Sequence, residues 1–351
     1  MGSLNSVRKY KKMKTRRFAL LLFGITLFLG KISLAEDHPQ VIRLGLGGSG
    51  YSKTYTTGIF GYLRENKLLE EEFKPEGIRI EWTFFPGVGP ELNTAFAGDS
   101  IDFSSYGDFP AIIGKAAGLK IRALAVGGRD SNIYVAVPSN STAKTLVDLK
   151  GKSVGIYLGG YMRLIFARKL QSLGLTEKDF NLINIRSADG QTALASGRID
   201  AYVGAATMLI LQNQGVARVI YTSKDEPPDW RGMSTLLVSE SFLNKYPDIT
   251  KRFLKRYLQA VRWRSDEANR KIADEMDARA GTPVEVIAAT HAGIPLKDLY
   301  NPRFDDAFTK HYQEAIVYAH DNKWIQNDVD LEKWINRSLL EETLKEIDWK
   351  D

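Results

Sequence analysis

Glycines and hydroxyl-bearing residues gather at a few turns of this sequence, and those turns are where chemistry is to be sought. Gly48-Ser49-Gly50-Tyr51-Ser52 follows the short apolar run Val41 to Leu46. Gly87-Val88-Gly89-Pro90 and Gly159-Gly160-Tyr161 each stand before a stretch with helical spacing. Backbone N–H groups at a helix start favour negative charge, and glycine lets a ligand come close to them. Any one such turn can serve geometry alone, but several at strand ends point to a common crevice that receives an anion. Ser104, Ser105 and Tyr106 add hydroxyl donors at another strand end, and Asp108 either meets the ligand or caps the helix that Pro110 opens.

Catalytic groupings are thin. The histidines His38, His291, His311 and His320 lie outside these turns, show no metal-binding spacing, and stand beside no marked nucleophile. With no cysteine in the sequence there is no thiol nucleophile and no disulfide. Gly45 to Gly50 formally fits the dinucleotide fingerprint, yet the next strand ends in Phe84, Phe85 and Pro86, with no acidic residue there to hold a ribose. The expectation is a binding site without catalytic residues, metal or cofactor.

The elements that must position these turns read as strands alternating with helices. Strands are expected at Val41–Leu46, Ile78–Phe85, Ile101–Ser105 and Ile121–Val126, with helices up to about Phe73, at Glu91–Ala97, at Pro110–Ala117 and at Met162–Leu170. This order implies α/β construction with mainly parallel pairing. Thr94, Ala95, Ala97, Ile101 and Asp102 recur as Thr192, Ala193, Ala195, Ile199 and Asp200, which suggests two lobes of similar plan. From Ser239 onward the pattern is helical, with Phe253, Leu254, Tyr257, Leu258 and Val261 forming one buried stripe.

Residues 1–35 read as a signal peptide, with seven Lys or Arg up to Arg17, an apolar run Phe18 to Gly30, and a cleavage site near Ala35. Thirteen apolar residues cover about 20 Å of helix, short of a hydrocarbon core of about 30 Å. Eight basic residues fall in this segment, so the remainder carries 40 basic against 42 acidic residues. That balance removes any composition-level case for a nucleic-acid or polyanion partner. The expected domains are lobe 1 over 36–127, lobe 2 over 128–228, and a return to lobe 1 with C-terminal helices over 229–351.

The chain carries Phe85-Pro86-Gly87, Ala97-Gly98-Asp99-Ser100-Ile101-Asp102-Phe103, Gly107-Asp108-Phe109-Pro110-Ala111, Val147 to Lys152, Gly197-Arg198-Ile199-Asp200-Ala201 and Tyr246-Pro247-Asp248. With these motifs the sequence from about Val41 to Trp263, and more loosely to the end, resembles the periplasmic binding proteins of ABC importers for aliphatic sulfonates, taurine and nitrate. It implies a two-lobed periplasmic-binding-protein fold of type II-like plan, with crossings near Gly127–Ser131 and Tyr221–Gly232. It also implies a cleft lined by Ser49 to Ser52, Gly87, Ser104 to Asp108, Gly159 to Tyr161 and Ala205 to Met208. Relatives often read Trp-Asp-Pro where this chain has Ala206-Thr207-Met208, so Thr207 and Met208 replace charged and aromatic contacts that Trp230 and Arg231 can supply instead. The expected function is capture of a small organic anion, an aliphatic sulfonate first, by a periplasmic monomer that delivers it to a membrane permease. The alternatives are another ligand (a sulfate ester, an aromatic carboxylate or a pyrimidine precursor), an exported interaction subunit, and an enzyme like the family's cysteine-dependent thiamine-precursor synthases.

Overall fold

The computed structural model describes residues 38–47 and 55–350. The expected signal peptide and its cleavage site lie outside the described residues. Ten strands are present among them: β1 Val41–Gly47, β2 Arg79–Phe85, β3 Phe103–Gly107, β4 Ile121–Ser131, β5 Tyr134–Pro138, β6 Ser153–Ile156, β7 Asn181–Asn184, β8 Ala201–Gly204, β9 Ala217–Thr222 and β10 Gly232–Ser239. They form two five-stranded sheets, ordered β2-β1-β3-β10-β4 and β7-β6-β8-β5-β9. No helix among the described residues is long and apolar enough to cross a membrane.

The expected mainly parallel pairing needs correction. In each sheet the first three strands pair in parallel, while the fourth, β10 or β5, runs antiparallel to both neighbours. The cause is the path of the chain. β4 passes into β5 through Asn132 and Ile133, and β9 passes into β10 through two short 3₁₀ turns, so each sheet receives its fourth strand from the other. β4 also runs to Ser131, past the expected end at Val126, because irregular pairing with β10 continues that far.

The sequence echo is a structural one. Asp102 Oδ2 accepts the amide of Arg43 on β1, and Asp200 Oδ2 accepts the amide of Ser153 on β6. The backbone repeats the match, with Asp102 N donating to Arg43 O and Asp200 N to Ser153 O. In both halves an aspartate at a strand entrance stitches the third strand to the first.

The C-terminal helices join the first sheet's core. Phe253, Leu254, Tyr257, Leu258 and Val261 on the helix Pro247–Ser265 are fully buried, as their spacing implies, and each such burial stabilises by about 1.5–3 kcal/mol. Phe253 stacks on Phe103 of β3 with ring centroids 3.9 Å apart. Further on, Arg122 of β4 donates to the carbonyls of Trp334 and Ile335, while Trp334 is buried against Tyr312.

Candidate binding cavity

A cavity of about 430 Å³ opens where β1, β3 and β4 end, against the start of the helix Gly58–Glu65. Strand alternation decides which β3 side chains reach it. Ser105 lines the cavity. Ser104 and Tyr106 do not: Ser104 is fully buried, and the Tyr106 hydroxyl donates to Asn93 Oδ1 at 2.6 Å on the helix Val88–Ala97.

Three hydroxyls meet at the cavity floor. A β-carbon added to Gly127 would stand 2.6 Å from Ser105 Oγ, 2.8 Å from Ser234 Oγ and 3.1 Å from Tyr257 Oη. Only a glycine leaves room for that convergence. The Tyr257 ring packs against Phe60 with centroids 5.6 Å apart. Its hydroxyl is buried and makes no hydrogen bond among the described residues, an arrangement that is costly unless a ligand supplies the partner. Burial raises its pKa, and the nearby Ser105 hydroxyl opposes that rise without overcoming it.

Apolar side chains line the cavity beside these hydroxyls: Leu46, the in-register neighbour of Ser105, with Ile59, Phe60 and Val88. Val88 takes φ of 45°, a conformation costly for a β-branched residue, and its side chain lies over Gly47, where a β-carbon would meet Val88 Cγ1 at 2.6 Å.

Helical segments after residue 264 close the third side. Arg264, 2% exposed, donates to both carboxylate oxygens of Asp277 and to Tyr300 Oη. Asp277 Oδ1 in turn accepts Gly58 N at 2.9 Å. A carboxylate of the chain itself therefore occupies the start of the helix Gly58–Glu65, and Arg264 is neutralised behind the cavity. His291 and Tyr300 complete this side. Burial, and after it the Arg264 charge, lowers the His291 pKa.

The expected site residues divide into four groups. Ser49, Gly50, Tyr51 and Ser52 lie outside the described residues. Ser105 is in the cavity. Gly87, Gly159 and Gly160 sit where the two halves touch: Tyr157 Oη donates to Gly87 O at 2.8 Å, Gly87 N is taken by Glu91 Oε2, and a β-carbon on Gly159 would meet Pro90 Cγ at 2.5 Å. Gly160 caps the helix Tyr161–Ser172, and Tyr161 packs over Gly107 and Gly232 while its hydroxyl donates to Asn132 O. The remaining residues are structural here. Met208 is buried against Gly204, Thr207 Oγ1 accepts from Gln191, and the Trp230 ring lies under the cations of Arg168 and Lys169.

Asp108 fits neither expected role. It is fully buried as the first residue of the helix Asp108–Ala116, whose cap is Gly107. Its Oδ2 accepts Met233 N at 2.9 Å and faces His311 Nε2 at 2.6 Å, while His311 Nδ1 faces Asp229 O. The pair pins the second passage between the sheets. Sequence reasoning missed Tyr257, Ser234, His291 and Tyr300, and took Gly127 for part of a crossing. The doublet Gly127-Gly128 at a strand end was the one signal available.

Three comparisons bear on this geometry. Residues 73–270 match the family described as NMT1/THI5 like. A protein of Bacillus subtilis (strain 168) named for aliphatic sulfonates binding is 26% identical over 324 residues, 90% of this chain and 92% of its own. The solved structure of a periplasmic sulfonate-binding protein of a sulfonate ABC transporter from Methylobacillus flagellatus KT is 31% identical, covers 90% of this chain and 96% of its own, and superposes with a TM-score of 0.76. A desulfurization enzyme shares the fold alone, at 17% identity and a TM-score of 0.63, over 88% of this chain and all of its own.

Proposed function

This chain belongs to the NMT1/THI5-like family, and from that premise we propose that it is a periplasmic solute-binding protein that captures an aliphatic sulfonate and presents it to the permease of an ABC importer. The observation that carries the ligand class is the convergence of the Ser105, Ser234 and Tyr257 hydroxyls about Gly127, with the Tyr257 hydroxyl unpartnered. A sulfonate stays ionised across the physiological range and can only accept hydrogen bonds. A floor of neutral donors meets that need, and the wall of Leu46, Ile59, Phe60 and Val88 receives an alkyl chain. The volume of about 430 Å³ suits a small molecule. The names of the sulfonate-binding relatives support the same class.

The two sheet-centred halves act as lobes on this reading. Contacts between Tyr157 and Gly87 and between Arg186 and Glu91 hold them together over the bound solute. We read the chain as a carrier and not as an enzyme. The fold alone is shared with the desulfurization enzyme, and this sequence has no cysteine to act as a nucleophile. The test is a thermal-shift panel on purified protein, stripped of carried-over solute by unfolding and refolding. Alkanesulfonates, taurine, nitrate, sulfate esters and aromatic carboxylates would be compared, with turnover assayed in parallel. At 100 times its dissociation constant a ligand adds about 2.7 kcal/mol. A shift selective for alkanesulfonates without product is expected, whereas silence toward them, or their conversion, contradicts the proposal.

A further inference from the structure

Among the described residues that line the cavity, His291 is the one basic side chain. Its ring nitrogens have no hydrogen-bond partner among the described residues, and its backbone carbonyl accepts from Arg270 and from Ile294 N. It also shares the cavity with the hydroxyls of Ser105, Ser234 and Tyr257. We propose that His291 is a specificity-determining residue that takes up a proton when an anion enters, so that the protein binds a sulfonate together with a proton. This rests on the anion-binding reading above.

The charges around His291 make it the group able to respond. Arg264 faces it but is committed to Asp277 and Tyr300. Arg270 is held by Glu267 at 2.8 Å, and Asp130 by Arg231. Lys224 donates to the backbone of Ala289, two residues before His291. Asp274 is buried near Asp277, and burial raises its pKa. The tyrosine hydroxyls of Tyr257 and Tyr300 are held neutral by burial. Burial and, after it, the Arg264 charge oppose a charge on the imidazole. An anion within a few ångströms reverses that balance, because an opposite charge favours the protonated form. A sulfonate carries no proton of its own to release. Any proton gained on binding therefore belongs to the protein.

The sign follows from linkage. If the pKa of His291 is higher with ligand than without, affinity is greatest at low pH and falls as pH rises through the window between the two values. An increase of one pKa unit changes affinity about tenfold in all, from pH well below both values to pH well above both.

Isothermal titration with ethanesulfonate and butanesulfonate, at pH 5.5, 6.5 and 7.5 in buffers of different ionisation enthalpy, reads the proton count directly. Uptake of a fraction of one proton near pH 6.5 is expected, with affinity about tenfold tighter at pH 5.5 than at pH 7.5. In His291→Gln both the uptake and the pH dependence should vanish, with folding checked by circular dichroism. Tight binding with no proton uptake in the unaltered protein overturns this inference and leaves the sulfonate reading standing, as does uptake that persists in the folded variant. No binding of either sulfonate at any pH overturns both.

Discussion

Tyr257 separates packing from recognition at a single atom. Its ring belongs to the core stripe of the helix Pro247–Ser265, but its hydroxyl, with the Ser105 hydroxyl nearby, makes no hydrogen bond among the described residues. Tyr257→Phe keeps the ring and removes that atom. Thermal stability should stay within about 0.5 kcal/mol of the parent or rise, since no protein hydrogen bond is lost. Affinity for alkanesulfonates should fall about tenfold, the loss of one hydrogen bond to a charged acceptor. Calorimetry on the one variant reads both numbers, and a large loss of stability with unchanged affinity would assign the hydroxyl to the fold. At this scale little of the site was legible in the sequence. The 3.6-residue period placed Tyr257 correctly in the core, but no period reports that a hydroxyl at the edge of a stripe reaches a cavity. The Ser104 to Asp108 cluster was found, yet alternation along β3 leaves Ser105 at the cavity and turns Ser104 and Tyr106 into the helical layer. Asp108 was drawn away by His311, 203 positions along the chain.

Among the elements, two of the glycine turns expected to cradle an anion, those at Gly87 and Gly159, lie where the two halves touch. The turn at Gly87 meets Tyr157 and Gly159 of the second half, and Arg186 pairs with Glu91 at 2.8 Å. The Arg186–Glu91 pair is half-exposed, so it contributes no more than about 1 kcal/mol, and the Tyr157 hydrogen bond adds about 0.5–1.5 kcal/mol. Neither residue lines the cavity. The double variant Arg186→Met with Tyr157→Phe should therefore weaken every ligand by one common factor, between about twofold and seventyfold, leaving ratios between ligands unchanged. A factor that differs between short and long alkanesulfonates would show instead that these residues touch the solute. The recurrence of Ile-Asp at an offset of 98 residues was readable because the same backbone need, a carboxylate stitching the third strand to the first, arises in both sheets. The antiparallel fourth strands were not readable, since local pattern gives a strand but no direction.

For the whole molecule, alternation of strands and helices, the length of the chain and the switch to helices after Ser239 implied α/β halves with a helical C-terminal region, and the structure has that plan. What the sequence could not convey is that the helical segment after residue 264 forms a wall of the cavity through Asp277, His291 and Tyr300, because those contacts join residues more than 200 positions apart. The central claim is that the first half carries a hydroxyl floor that holds a sulfonate and an apolar wall that holds its chain. A crystal structure of the protein with ethanesulfonate tests this most directly. Sulfonate oxygens are expected within hydrogen-bonding distance of Tyr257 Oη, Ser105 Oγ and Ser234 Oγ, with the ethyl group toward Phe60 and Val88. A sulfonate seated elsewhere, with the Tyr257 hydroxyl still unpartnered, would contradict it.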